Sequence, residues 1–235
     1  MRFLLFSCLL LPAVALQAQK TELRLALNSG VFRYTGNGVE NTSSINYGTQ
    51  EGQGYTNDVY GSHGALGYGA SLDLQRVTRY GLLLGLRAGP EVLRSRQQIS
   101  EVSVWDGYNN KQVSANGSTH FSQSYIGISP FLGWRAPAGP VSLDATVGLE
   151  FGIPLSAWES GSALGADGQR YTVARYRRYH GLADGRYRFQ LGANYRRYGA
   201  YLGYSAGQID MRSVMIGGSS EAYSRYLRFG LSRRF

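Results

Sequence analysis

Apolar and polar residues alternate with a period of two over much of this chain, most cleanly in VSLDATVGLEFGIP at Val141–Pro154. Every odd position from Val141 to Ile153 is apolar, while the even positions are Ser142, Asp144, Thr146, Gly148, Glu150 and Gly152. A helix would scatter those apolar residues around its circumference, because two steps turn it by about 200°. The segment is therefore a strand with one apolar face and one face of small and ionised groups. The same period predicts seven more strands: Thr21–Asn28, continuing to Tyr34 with a slip near Gly30, then Ala65–Gln75, Gly81–Glu91, Ser124–Arg135, Arg186–Arg196, Ala200–Gly207 and Tyr223–Phe235.

The connections alternate in length. Short turns fall at Arg76–Tyr80, Ala136–Pro140 and Arg197–Gly199, the middle one carrying Pro137, Gly139 and Pro140. Long polar stretches span about 35–64, 94–122, 155–183 and 208–222, and the tracts at Asn37–Asn57 and Gly107–Ser118, rich in Gly, Asn, Ser and Thr, read as flexible loops. Eight strands with this rhythm predict an antiparallel up-and-down barrel with four long loops at one rim.

Period alone does not say which face is inside, since a soluble barrel with an apolar lumen alternates in the same way. Three features favour a barrel whose apolar face meets lipid. The polar face is rich in glycine, which makes room inside a narrow barrel for large side chains opposite. Aromatics sit toward the ends of the apolar face, with Trp134, Tyr195 and Phe235 at the short-turn end and Tyr68, Phe151 and Tyr187 toward the other. The loop lengths are also lopsided, as in membrane barrels with short periplasmic turns and long extracellular loops. The fold class is thus all-β: an eight-stranded antiparallel up-and-down transmembrane β-barrel.

The first residues modify this picture only at the margin. Arg2, an apolar run from Phe3 to Leu16 and small residues at Ala13, Ala15 and Ala18 make residues 1–18 a secretory signal, leaving 19–235 as one barrel domain. Cys8, the only cysteine, lies within that signal, with too few apolar residues before it for a lipoprotein signal. No later apolar run approaches the ~20 residues of a spanning helix. The net charge of +9 rests on arginine, because Lys20 and Lys111 are the only lysines. For an exported protein that charge points to anionic lipid and polysaccharide rather than nucleic acid.

The polar face carries the candidate chemistry. Near the short turns it offers Glu22, Asp73 and Asp144 with Arg24, Arg135, Arg196 and Arg234; higher up it offers Glu91 and Glu150 with Arg87, Arg188 and Arg228. Buried charges of both signs are expected to pair in two tiers, with Glu150 and Arg188 the leading pair. The interior reads as a structural plug, with a gate or small polar pore as the alternative. In the third long loop Arg170, Arg175, Arg177 and Arg178 interleave with Tyr171, Tyr176 and Tyr179, a mixture suited to phosphate and sugar. This arginine-rich loop is the expected contact with lipopolysaccharide.

His63, His120 and His180 all precede descending strands and are expected at the outer rim without the spacing of a metal site, so no metal or cofactor is expected. His120-Phe121-Ser122-Gln123 is slightly similar to the His-x-Ser-Asn element of the lipid A deacylase barrels. Gln123 replaces the asparagine, and Leu132 and Trp134 stand where that family places its acid. A serine nucleophile needs a base and an orienting acid, so the expectation is a non-enzymatic protein, with a lipid-modifying enzyme or a small-solute channel as alternatives.

At the C-terminus, Arg228, Gly230 and the terminal Phe235 resemble the signal read by the barrel-assembly machinery, a polar residue, a glycine and a final aromatic; Arg233 departs from it. Across residues 20–235 the layout resembles the OmpA/OmpX-like eight-stranded barrels, and more closely the PorT-like outer membrane protein β-barrel proteins. That resemblance implies a Gram-negative outer membrane and leaves the activity open; the protein is expected to be a monomer, with outer-membrane lipids and the assembly machinery as partners. Unlike full-length OmpA, the chain stops at its last strand, so no peptidoglycan-binding domain is expected after it.

Overall fold

A computed structural model describes residues 20–49, 53–177, 183–213 and 220–235; the expected signal at 1–18 lies outside them. Among the described residues eleven strands form one sheet: β1 (Lys20–Thr35), β2 (Thr42–Gly48), β3 (Gln53–Thr56), β4 (His63–Val77), β5 (Leu82–Trp105), β6 (Asn110–Ala138), β7 (Val141–Gly165), β8 (Arg170–Arg177), β9 (Asp184–Tyr195), β10 (Tyr198–Gly207) and β11 (Tyr223–Arg234). Eight of them close on themselves. β1 pairs with β4, β4 with β5, β5 with β6, β6 with β7, β7 with β9, β9 with β10, β10 with β11, and β11 returns to β1 from Arg24↔Arg234 to Thr35↔Tyr223, every pairing antiparallel. This is the expected eight-stranded barrel, with no open edge in the ring.

The outer face carries the apolar residues. Leu143, Val147, Leu149, Phe151, Ile153 and Leu155 on β7 are exposed, as are Leu23, Leu25, Leu27 and Val31 on β1 and Phe189, Leu191, Leu202, Leu227, Phe229 and Leu231 on the closing strands. From Leu143 to Leu155 a strand climbs about 40 Å, or about 30 Å of height at a tilt of about 40°, which matches a hydrocarbon core. Such a continuous apolar band around a charged interior is stable in a bilayer and not in water. The aromatics of the expected girdles all face outward, Trp134, Tyr195 and Phe235 at the short-turn end and Tyr68, Phe151 and Tyr187 above, and the structure adds Tyr80 and Tyr198 to the first group and Trp158 to the second.

Above that band the structure departs from the sequence reading. β5 runs on to Trp105, β6 begins at Asn110 and β7 continues to Gly165, so the stretches 94–122 and 155–183 are largely strand rather than loop. Residues 35–64 hold the β2–β3 hairpin. β2 lies parallel to the end of β5, β3 bridges β8 at Gly54↔Val173, and β8 pairs back on β7. Upper β5, β6 and β7 with β8, β3 and β2 thus form a second, six-stranded ring over part of the barrel mouth. Its interior is apolar: Ile45, Ile99, Val102, Ala163, Tyr171 and Val173 are buried together, with Tyr47, Val104 and Ala115 against them. The parts of the expected flexible tracts that lie in β2, β3 and β6 are therefore ordered by a core of their own.

A bulge explains why the period on β7 breaks off early. On β7 the register jumps between Ser124↔Ser156 and Tyr125↔Pro154, leaving Leu155 as an extra residue. That bulge flips the parity, so Trp158 points out while Ala157 and Glu159 point in. On β1, by contrast, there is no slip at Gly30. Residues 22 to 34 keep one parity, and Phe32 and Tyr34 are buried because the interior itself turns apolar at that height.

A layered interior and a basic rim

Two arginine–carboxylate clusters fill the lumen from the short-turn end upward. In the lowest, Glu22 accepts from Arg234 at 2.8 Å, Gln75 at 2.8 Å, Arg24 at 3.1 Å and Arg135 at 3.2 Å, while Asp144 accepts from Arg135 at 2.6 and 2.9 Å. Arg196, expected in this tier, is instead in the β9–β10 turn with φ 51°, its guanidinium 5.2 Å from the Tyr195 ring. The strand ends there, and with it the parity that would have pointed Arg196 inward.

Asp73 and Arg87 bridge the tiers rather than belonging to separate ones. They face each other across β4 and β5 and share two bonds of 2.7 and 2.8 Å. Above them Glu150 accepts from both terminal nitrogens of Arg228 at 3.0 Å, from Ser205 at 2.8 Å and from Arg188 at 3.4 Å. The expected Glu150–Arg188 contact is present, but the two-pronged partner is Arg228. Glu91 approaches Arg228 at 3.3 Å and Arg186 at 3.4 Å, and Arg186 also lies 3.4 Å from Asp184. Arg186 and Asp184 were missed by the sequence reading: Arg186 opens the expected strand with the parity of Arg188, and reading that strand two residues further adds Asp184.

Large rings fill what the charges leave, and glycines opposite admit them. A Cβ on Gly230 would stand 2.3 Å from the Tyr201 ring, and one on Gly85 2.3 Å from Phe131. Gly230 therefore has a packing role beside its place in the expected assembly signal, Arg228 an ion-pairing one, and Phe235 sits exposed on the outer face. Over the charges lies an apolar layer of Phe32, Tyr34, Leu93, Phe121, Tyr125 and Tyr226, joined by Tyr60 and Met211 from the loops. Tyr34 donates to Gln123 beneath the loops, and Tyr60 donates to the Met211 carbonyl at 3.0 Å.

Two hollows among the interior charges hold ≈ 20 Å³ each, space for about one water. The larger concavities, ≈ 490 and 560 Å³, lie on the outer face between β7, β9 and β10, where lipid tails would fill them.

Of the expected loop arginines, the two whose side chains are described, Arg170 and Arg175, lie apart. Arg170 lies near the tip, its Nε donating to Ser162 at 3.2 Å, whereas Arg175 is at the other end of β8 with its guanidinium 5.1 Å from the Tyr55 ring. The Arg177 backbone ends β8 opposite Ala157; Arg178, like His180, lies outside the described residues.

A basic rim has formed elsewhere, just above the apolar band. Arg33 and Arg225 oppose each other on β1 and β11, and on the neighbouring strands His63 opposes Arg96, which in turn opposes His120. Arg94 shares the outward face and donates to Ser122 at 2.9 Å. None of these four arginines makes an ion pair among the described residues. Burial, then Arg94 and Arg96, hold His120 below its ordinary value. His120 and Ser122 are flanked across strands by Arg96, Ser160, Arg94 and Trp158, positions that offer no acid. No group of three metal-ligating side chains is present among the described residues.

No family model and no curated protein matches this chain. Solved structures with a similar course include Ail, the attachment invasion locus protein of Yersinia pestis, at 12% identity over 92% of this chain and 99% of that one, with a TM-score of 0.36. Neisserial surface protein A matches at 10% identity over 92% and 99%, with a TM-score of 0.38. A major outer membrane protein from Thermus thermophilus matches at 13% over 92% and 100%, also with 0.38. The barrel assignment stands on the strand pairing rather than on these distant likenesses.

Proposed function

We infer that this chain is an integral outer-membrane protein with a closed lumen and a structural or surface-interaction role, acting through its lipid-facing rim and the ring above it. The layered interior carries that reading. Charge clusters, an apolar layer and the apolar core of the upper ring succeed one another with hollows of only ≈ 20 Å³ among the charges. The short turns face the periplasm after removal of the signal peptide, and the upper ring faces the exterior. Insertion would use the barrel-assembly machinery, read through Arg228, Gly230 and Phe235, and the barrel works as a monomer.

Lipopolysaccharide is the fitting lipid partner, because its phosphates stand at the height of Arg33, Arg94, Arg96 and Arg225. Like charges at paired positions of adjacent strands repel unless an anion offsets them, and although Arg225 donates to the Gly207 and Ser224 carbonyls at 3.0 and 2.9 Å, no acid neutralises it among the described residues. The outward His120 and Ser122 belong to this anion-contact rim rather than to an enzyme. Recording conductance of the purified barrel in a planar bilayer tests the closed lumen: a silent membrane is expected, and long-lived, frequent openings would overturn it. Comparing intact lipid A masses from deletion and wild-type cells tests the non-enzymatic part; a lost or gained acyl chain would refute it.

A further inference from the structure

The outward face of the upper ring carries a cleft that none of the roles above uses. It holds ≈ 310 Å³ and is lined by Asn46, Tyr47, Tyr55, Ser103, Trp105 and Asn110, with Gly48 beside them. That volume is at the lower end of the roughly 300–1,000 Å³ of small-molecule sites. Strand pairing builds it. Asn46 lies between Tyr55 of β3 and Ser103 of β5, while Trp105 lies between Gly48 of β2 and Asn110 of β6. Trp105 is 52% exposed and Tyr55 42%, and both stand above the membrane band, where lipid does not account for exposed aromatic rings.

The polar groups are neutral and held. Ser103 donates to Asn110 Oδ1 at 2.8 Å, leaving the Asn110 amide nitrogen to donate outward. Asn46 Nδ2 donates to Asn57 Oδ1 at 3.2 Å, leaving the Asn46 oxygen to accept. Arg175 at 5.1 Å braces the Tyr55 ring, and Tyr171 meets the Tyr47 ring edge-to-face at 5.1 Å. Two aromatic rings flanking one amide donor and one amide acceptor complement a pyranose: its C–H face lies on a ring, and each hydroxyl both donates and accepts. Among the described residues no charged side chain lines the cleft, which favours an uncharged sugar over a sulfated or phosphorylated one.

We propose that the cleft of Asn46, Tyr55, Ser103, Trp105 and Asn110 binds a neutral saccharide. This rests on the reading that the upper ring faces outward, so the two are tested separately. Tyr108 is 90% exposed beside the cleft, and Tyr108→Cys would introduce a thiol that a membrane-impermeant maleimide labels on whole cells if the ring is outside. Purified barrel in detergent is then applied to an array of neutral and sulfated oligosaccharides, and separately to the O-polysaccharide of the producing cells freed of lipid A. Binding to neutral glycans in either arm is expected, weakened at least tenfold by Trp105→Ala and by Asn110→Ala and largely kept by Trp105→Phe. Folding of each variant is checked by heat-modifiable gel mobility. Retention of sulfated glycans alone, no retention in either arm, or equal binding by folded Trp105→Ala overturns the proposal whether or not Tyr108→Cys labels.

Discussion

Glu150→Gln tests the charged interior most directly. Glu150 is 3% exposed and accepts four bonds of 3.4 Å or less from Arg228, Arg188 and Ser205. Its tier sets Glu91, Glu150 and Asp184 against Arg186, Arg188 and Arg228, three charges of each sign. The glutamine keeps the size of the side chain but leaves one buried positive charge unbalanced. Stranding such a charge costs about 3–5 kcal/mol. Coulomb's law at a 3 Å separation and an effective dielectric near 20 gives about 5 kcal/mol, an upper bound of the same order. The folded-to-unfolded ratio should therefore fall by about two to four orders of magnitude. Urea titration of the barrel in lipid vesicles, followed by tryptophan fluorescence and gel mobility, measures this. The double variant Glu150→Gln/Arg228→Gln restores neutrality and should recover more than half of the loss. Conductance should stay silent in both, because the apolar layer above is untouched. A single variant within about 0.5 kcal/mol of wild type, or a double variant with simply added losses, would refute the balanced-charge account.

Three further outcomes follow from other levels of the molecule. Ile45→Ala removes a fully buried side chain from the upper ring and should cost about 2–5 kcal/mol locally, opening the β2–β3 hairpin to limited proteolysis while the barrel keeps its gel mobility. His120 is held below its ordinary 6.5 by burial and by Arg94 and Arg96, so the unfolded chain takes up that proton first. Its contribution to stability is thus intact above pH about 6.5 and declines as pH falls below that value. In an NMR titration its midpoint should rise when phosphate-bearing lipid A is added, and an unmoved midpoint would remove His120 from the anion-contact rim. Arg196→Gly relieves the left-handed backbone at φ 51° and should stabilise the barrel by about 0.5–1 kcal/mol in the urea assay, whereas a loss would mean that the Arg196–Tyr195 contact outweighs the strain.

The barrel was legible in the sequence because lipid on one side and charge on the other give opposite chemistry to successive residues. From Leu143 to Ile153 that contrast holds at every step. It fails wherever both faces share a chemistry or the parity flips. Phe32 looked like a slip because the lumen is aromatic at its height, yet the backbone register passes through it unchanged. At Ala157 and Trp158 the period predicts a loop because the bulge at Leu155 exchanges the faces. The β2–β5 and β3–β8 pairings are parallel contacts between segments far apart in the chain, which no local period encodes. Arg94 and Arg96, two residues apart, did carry a local signal: they share a face once the strand is carried past Glu91.

Those rim arginines bear on function more than the buried ones do. Every buried arginine tier has acids among it, which is what an apolar surrounding requires regardless of purpose. Arg33 and Arg225 face each other with no carboxylate partner among the described residues, an arrangement that costs stability in a bare sheet. A strand pair selected for stability alone would place Glu at one of the two positions. Retaining two positive charges at the height of lipid phosphates is sensible where the missing counter-charge belongs to the membrane. On the function proposed above, Arg225→Glu should therefore stabilise the barrel in zwitterionic vesicles and destabilise it in vesicles containing lipopolysaccharide. The same sign in both would separate the rim from the lipid.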